Sequence, residues 1–257
     1  MEKPQDYKKL SCLDCANGEG LDFDFTMAFQ PIVNTTTQVI FAYEALVRGL
    51  NQETASQIFE NINDTNRYRF DQSCRTKAIK LAADLGMQSY LSINFLPNAV
   101  YQPELCIRTT LDAAETFGFP IEKIIFEITE GEKIENKTHV REIVEYYKAK
   151  GFKTAIDDFG AGYAGLNLLA EIQTDIIKLD MALIRHIDHD RIRQAIVKGI
   201  IQVCQELSIT IIAEGIETQD ELRTLQNFGI ELFQGYYFAK PEFQCLPKIS
   251  QDVFSRH

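Results

Sequence analysis

What this chain lacks narrows its role before any motif is found. No apolar run approaches the ~20 residues that a membrane-spanning helix needs. The opening MEKPQDYKKL is polar and carries no hydrophobic segment of a secretory leader. Both absences point to a cytoplasmic protein. Cations are in deficit: 26 Lys and Arg stand against 37 Asp and Glu, for a net charge of −11. No basic block is present, which argues against duplex nucleic acid as a partner, because phosphate binding needs clustered Lys and Arg. An anionic substrate would need a local Arg or Lys, or bound cations. Histidine is scarce at four residues, so a histidine-cluster catalyst has no support, and His186 and His189 lie in a charged stretch and read as solvated. The six cysteines are scattered and form no disulfide framework. Only Cys12 and Cys15 are close, in CLDC, and no second pair follows to complete a zinc site. They read as an incidental pair, or as a redox or metal switch.

What is present suits one α/β barrel, a fold of typically ~250 residues. The chain has 257 residues, 45% hydrophobic and 25% charged, enough for a large core. Residues 1–24 read as an N-terminal arm and 25–257 as the barrel domain. Thr26 to Val33 and Gln38 to Val47 are strand-like and separated only by NTTT, which predicts an antiparallel opening hairpin. Further strands are predicted over Tyr90 to Phe95, Ile121 to Thr129, Phe152 to Ile156, Asp175 to Asp180, Ile209 to Ala213 and Leu232 to Phe238. Helical spacing lies between them, over Thr54 to Leu85 with a break near Asn63 to Asn66, Pro103 to Phe117, Asn136 to Lys150, 182–207 and Thr218 to Phe228. Thr218 with Glu221 makes a capping box. The tail after Pro241 reads as a short helix. Repeated strand–helix–strand units imply parallel pairing and right-handed crossovers. The expected fold is a TIM-like (β/α)8 barrel with an antiparallel first strand. An open doubly wound sheet is the alternative, but the glycine-rich phosphate loop that usually follows its first strand is absent.

The chain is organised around FKTAIDDFGAG, Phe152 to Gly162. A short apolar run ends in two adjacent carboxylates, Asp157 and Asp158, followed by glycines. Neighbouring anions at the end of a buried strand repel and lose solvation, so they need water or a cation. Taken alone, the pair could be an exposed turn, and Glu44 in the second strand could face solvent with Tyr43 and Ala45 inside. The other strands repeat the pattern, however. Glu44, Asn94, Glu127, Asp157 with Asp158, Lys178 with Asp180, Glu214 and Gln234 all fall at strand ends that a barrel directs to one mouth. So many acids cannot share a rim without cations, and oxygen ligands without His or Cys suit Mg²⁺ or Mn²⁺. This pattern points to a metal-dependent hydrolase acting on phosphate, with Asp157 and Asp158 placed to serve two ions. Enolase-type proton abstraction on Mg²⁺ stays open at this level.

Glu44-Ala45-Leu46 followed by Val47-Arg48 resembles the signature of the EAL-domain cyclic di-GMP phosphodiesterases. The likeness runs through QPIV from Gln30, SINF with Asn94, FEITE with Glu127 and Glu130, and DDFGAG. It continues through KLD from Lys178 to Asp180, AEGIET with Glu214 and Glu217, and QGYYFAKP from Gln234. It covers roughly residues 25–245. The resemblance implies hydrolysis of cyclic di-GMP to linear pGpG with two ions, Mg²⁺ or Mn²⁺, inhibition by Ca²⁺, and a homodimer. It implies that Glu44, Asn94, Glu127 and Asp157 ligate one ion, and that Asp157 bridges to a second held by Asp158. Asp180 lies beside that second ion and Glu214 supports it. Lys178 contacts the attacking water. Arg48, Gln30 and Gln234 meet the substrate, Glu130 anchors the loop after Asp158, and Glu217 stands behind the ligands. The loop reads GAGYAGL where many members carry Thr at Ala161 and Ser at Ala164 and Gly165, which removes no ligand. A catalytically weak cyclic di-GMP receptor or protein-interaction module is the competing reading. Completeness of the acid set with Lys178 is the feature that favours the enzyme.

Overall fold

The computed structural model describes residues 20–100, 102–128, 136–161, 165–250 and 252–255. Cys12, Cys15 and Glu130 lie outside them. Strands β1 (Phe25–Asn34) and β2 (Val39–Gly49) form the expected antiparallel hairpin, turned by Asn34, whose Oδ1 accepts from Thr37 N at 2.8 Å. Strands β3 (Tyr90–Phe95), β4 (Ile124–Ile128), β5 (Lys153–Phe159), β6 (Ile176–Leu179), β7 (Thr210–Ala213) and β8 (Leu232–Gln234) then add in parallel, each beside the last. β1 pairs antiparallel with both β2 and β8, which closes an eight-stranded barrel. The helices around it are α1 (Ala55–Phe59), α2 (Arg67–Asp84), α3 (Pro103–Cys106), α4 (Arg108–Phe117), α5 (Lys137–Ala149), α6 (Leu166–Glu171), α7 (Met181–Ile184), α8 (Arg191–Glu206) and α9 (Gln219–Asn227). A two-residue strand β9 (Glu242–Phe243) and helix α10 (Asp252–Ser255) end the described chain.

The helix expected over Pro103 to Phe117 is broken at Ile107, and Ile121–Lys123 forms a 3₁₀ turn ahead of β4. Three further elements differ from expectation, each for a local reason. The long helix over 182–207 is two helices, because His186 takes φ 59° and Asp190 accepts from Ile192 N and Arg193 N as a new N-cap. The last strand stops at Gln234 and does not reach Phe238. A Cβ at Gly235 would lie 2.1 Å from Ile216 O, so the chain must turn there without a side chain. The tail is not only helical: β9 pairs with β1 at Ala28 and Phe29, and Tyr43 Oη donates to Pro247 O at 2.9 Å. The capping box of Thr218 and Glu221 is formed as read.

Two layers fill the barrel. Its floor is a dry cluster of Ile32, Ala42, Ile125, Ala155, Ile176, Ile212 and Leu232. Burying one such Ile stabilises by about 1.5–3 kcal/mol. Two residues further toward the mouth on the same strands stand Gln30, Glu44, Glu127, Asp157, Lys178, Glu214 and Gln234. A strand side chain repeats its face every second position, so an apolar floor residue dictates what points inward above it. The larger core lies between strands and helices and holds residues such as Phe95, Phe126 and Tyr147.

Candidate active site at the barrel mouth

Lys178 is the hub of the upper layer. It is 1% exposed, and its Nζ lies 2.6 Å from Glu214, 2.9 Å from Glu127, 2.9 Å from Asp157 and 3.4 Å from Glu44. One ammonium therefore faces four carboxylates in a space with little water. The imbalance appears in the ionisation of each acid. Burial pushes Glu127 well above the ordinary carboxylate range, against the pull of Lys178. Burial likewise pushes Glu214 up to about 8 and raises Asp157. Glu44 goes the other way: burial would raise it, but Lys178 and hydrogen bonds from Gln234 and Asn94 outweigh that and hold it low.

Amides and a hydroxyl orient these acids. Asn94 Nδ2 donates to Glu44 Oε1 at 2.8 Å, and Gln234 Nε2 donates to Glu44 Oε2 at 2.7 Å and to Gln30 Oε1 at 3.1 Å. Gln30 in turn donates to Ala239 O at 3.2 Å. Ser92 Oγ donates to Glu127 Oε1 at 2.5 Å. The sequence reading missed Ser92, although it stands two residues before Asn94 on the same face of β3.

Adjacent strand residues normally point to opposite faces, so Asp157 and Asp158 could not both face the mouth from a regular strand. The β5–β6 register shifts between Ile156 and Phe159, and Asp158 takes φ 50°. This irregularity turns both carboxylates to the opening. Burial, with the charges of Asp157 and Asp180, pushes Asp158 up to about 6. Asp180 lies at the rim, with Oδ1 capping α7 through Ala182 N at 2.7 Å. Glu217 also lies at the rim and pairs with Arg185 at 2.8 Å. Arg48 stands apart. Its Nη1 donates to Val47 O at 2.7 Å, and it is not among the described residues lining the cavity.

The cavity at the mouth measures about 320 Å³. Met181 and Tyr236 form part of its wall and are 47% and 57% exposed. No periodicity marks them: Met181 opens the single-turn helix α7, and Tyr236 lies in the turn after β8. The donor set fits hard divalent cations. Glu44, Glu127 and Asp157 offer oxygens within 4.8 Å of one another, as do Asp157, Asp158 and Glu214, so Asp157 is common to two triads. Beside the first triad, the buried Asn94 Oδ1 has no hydrogen-bond partner among the described residues. A carbonyl oxygen left without a donor at an acidic cluster is what a cation would satisfy.

Fold and site thus define a TIM-like barrel whose mouth is an acidic, oxygen-only cradle around one lysine. The chain belongs to the EAL domain family, whose model matches residues 21–241. It is similar to the blue light- and temperature-regulated antirepressor BluF of Escherichia coli, 34% identical over 224 residues, covering 87% of this chain and 56% of BluF. Other relatives are named cyclic di-GMP phosphodiesterase PdeB in Shewanella oneidensis and probable cyclic di-GMP phosphodiesterases PdeG and PdeD in Escherichia coli, and this chain spans less than half of each. Among solved structures, a standalone versatile EAL protein from Vibrio cholerae O395 in a c-di-GMP-bound form matches with TM-score 0.89 and 59% identity, over 93% of this chain and 100% of that one. The manganese/cyclic di-GMP complex of Klebsiella pneumoniae BlrP1 at pH 9.0 matches with TM-score 0.83 and 33% identity, over 96% of this chain and 60% of that one. No helix among the described residues is long and apolar enough to cross a membrane.

Proposed function

We propose that this chain hydrolyses cyclic di-GMP to linear pGpG with Mg²⁺ or Mn²⁺. The observation that carries the reading is the pair of oxygen triads sharing Asp157, with the partnerless Asn94 Oδ1 beside them. The c-di-GMP complexes of the Vibrio and Klebsiella proteins support the choice of ligand. Bound divalent ions supply a water of lowered pKa and neutralise charge gathering on the phosphate.

The chain's own residues do the rest. Glu44, Asn94, Glu127 and Asp157 would hold one ion, and Asp157 and Asp158 would hold the other, with Glu214 and Asp180 beside it. Lys178 keeps its proton at Nζ, raised by the acids around it, and so acts as a hydrogen-bond donor that orients the attacking water. Arg48 supplies positive charge to a substrate phosphate by turning from the Val47 carbonyl. Gln30 and Gln234 fix the substrate edge of the mouth through their mutual hydrogen bond. Glu217 steadies the rim through Arg185. Water adds to phosphorus, one of the two ester linkages opens, and the departing oxygen leaves with a proton. A homodimer and inhibition by Ca²⁺ belong to the same proposal. The test is incubation of purified protein with cyclic di-GMP and Mn²⁺ or Mg²⁺, following pGpG. Accumulation supports the reading, and intact substrate at stoichiometric enzyme overturns it.

One observation favours a second reading, that of a nucleotide-sensing regulator: BluF, similar over 87% of this chain, is named an antirepressor. That reading expects binding of cyclic di-GMP without turnover in the same experiment.

A further inference from the structure

Behind the mouth, on the outer face of the sheet, lies a buried charge pair that the hydrolytic reading does not use. Arg75 and Asp71, one turn apart on α2, are 0% and 2% exposed, with Arg75 Nη2 2.6 Å from Asp71 Oδ2. Burying such a pair is costly, and apolar residues of similar size would serve stability as well. Its contacts suggest another use. Asp71 Oδ1 accepts from the backbone N of Leu96 at 3.0 Å, two residues past Asn94. The Arg75 guanidinium lies 5.4 Å from the Phe95 ring and 5.1 Å from the Phe126 ring, and Nη1 donates to Tyr147 Oη at 3.0 Å.

Phe95 follows Asn94, and Phe126 precedes Glu127. Asn94 and Glu127 are register partners on β3 and β4. On a strand, the outward residue next to an inward one shares its pleat, so fixing Phe95, Leu96 and Phe126 fixes how Asn94 and Glu127 enter the barrel. We propose that Asp71 and Arg75 are positioning residues that hold Asn94 and Glu127 in cation-binding geometry from behind the sheet. This rests on the reading of Asn94 and Glu127 as ligands. It gives the buried pair a role in the site: two strands must present an amide and a carboxylate to one point, and a planar cation packed against both of their outer rings, which meet edge to face at 5.8 Å, sets both together.

The test is calorimetric titration of Mn²⁺ into metal-free protein, beside a melting curve in chelator. Wild-type protein that takes up no Mn²⁺ removes the ligand reading itself. If wild type binds, Asp71→Asn should weaken Mn²⁺ by about 10–100-fold, the range seen when groups supporting metal ligands are removed. The Mn²⁺ resonance of its complex should broaden. Val197→Ala, a cavity in α8 that also lowers the melting temperature, should leave Mn²⁺ affinity within about threefold, since α8 packs on β7, four strands along the barrel from β3. The double replacement Asp71→Leu with Arg75→Met should recover melting temperature without recovering Mn²⁺ affinity. Unchanged affinity in Asp71→Asn, or recovery of both properties in the double variant, overturns the proposal. Should Asp71→Asn fail to fold, Arg75→Lys, which keeps the charge and loses the planar contact with the rings, is judged by the same two outcomes.

Discussion

Lys178 Nζ lies 2.6 Å from Glu214, nearer than to Glu127, Asp157 or Glu44. The acid that comes closest thus reaches in from β7, across the β6–β7 boundary, while the others complete a ring around the same ammonium. Among the described residues this lysine is the cation in contact with the four carboxylates. Lys178→Met keeps the length and removes the charge. In chelator it should lose about 3–5 kcal/mol of stability, the usual cost of stripping one partner from a buried ionic cluster. Mn²⁺ should restore much of the melting temperature. Equal loss with and without Mn²⁺ would count against a cation site formed by these acids.

Glu44 receives hydrogen bonds from two of the site's amides, Asn94 and Gln234. Glu44→Ala should lower cyclic di-GMP turnover by at least about 100-fold while circular dichroism stays native. Near-normal turnover would sink the metal assignment.

Glu214 is raised from 4.5 up to about 8, and Asp158 from 3.8 up to about 6. In the folded protein each keeps a proton that the unfolded chain has already released. The stabilisation is present below the ordinary carboxylate range and is lost as pH rises through those higher values. Metal-free protein should therefore melt at lower temperature at pH 9 than at pH 6. Seating a cation expels the same protons, so Mn²⁺ affinity should tighten over that interval. Titration in buffers of different ionisation heat should register the release. A flat profile would contradict the assignment.

Calcium should bind and not support turnover, because its looser and longer coordination activates water poorly. The measurement is pGpG formation with Ca²⁺ replacing Mn²⁺ at saturating metal. Equal rates would argue against two tuned sites.

Gly235→Ala places a methyl 2.1 Å from Ile216 O and 2.3 Å from Ile216 N. Both loops must move, and Gln234, which precedes the glycine, moves with them. Expected is a loss of about 1–3 kcal/mol in denaturant unfolding, with a rise in KM for cyclic di-GMP. Unaltered stability would mean that the loops slide freely past one another.

Much of the site was legible in the sequence because strand periodicity is strict. Ala42 with Glu44, Ile125 with Glu127 and Ile176 with Lys178 each pair a floor residue with a polar one two positions on. The hairpin was legible from four polar turn residues between strand-like runs. What stayed hidden depends on local departures from regular structure. The left-handed Asp158 and the register shift beside it are not encoded in any period. The break at His186 and Asp190 lies inside an apparently continuous helical stripe. Asp71 and Arg75 sit on a helix whose other residues explain its burial. Only their distance to Leu96, Phe95 and Phe126 gives them a role.

The dry floor beneath the polar layer has a kinetic consequence. Seven apolar side chains stopper the tube from below, so among the described residues the polar layer opens toward the mouth and not down through the barrel. Under the proposed hydrolysis, product leaves by the mouth through which substrate came, and each departing molecule blocks the next arrival until it has gone.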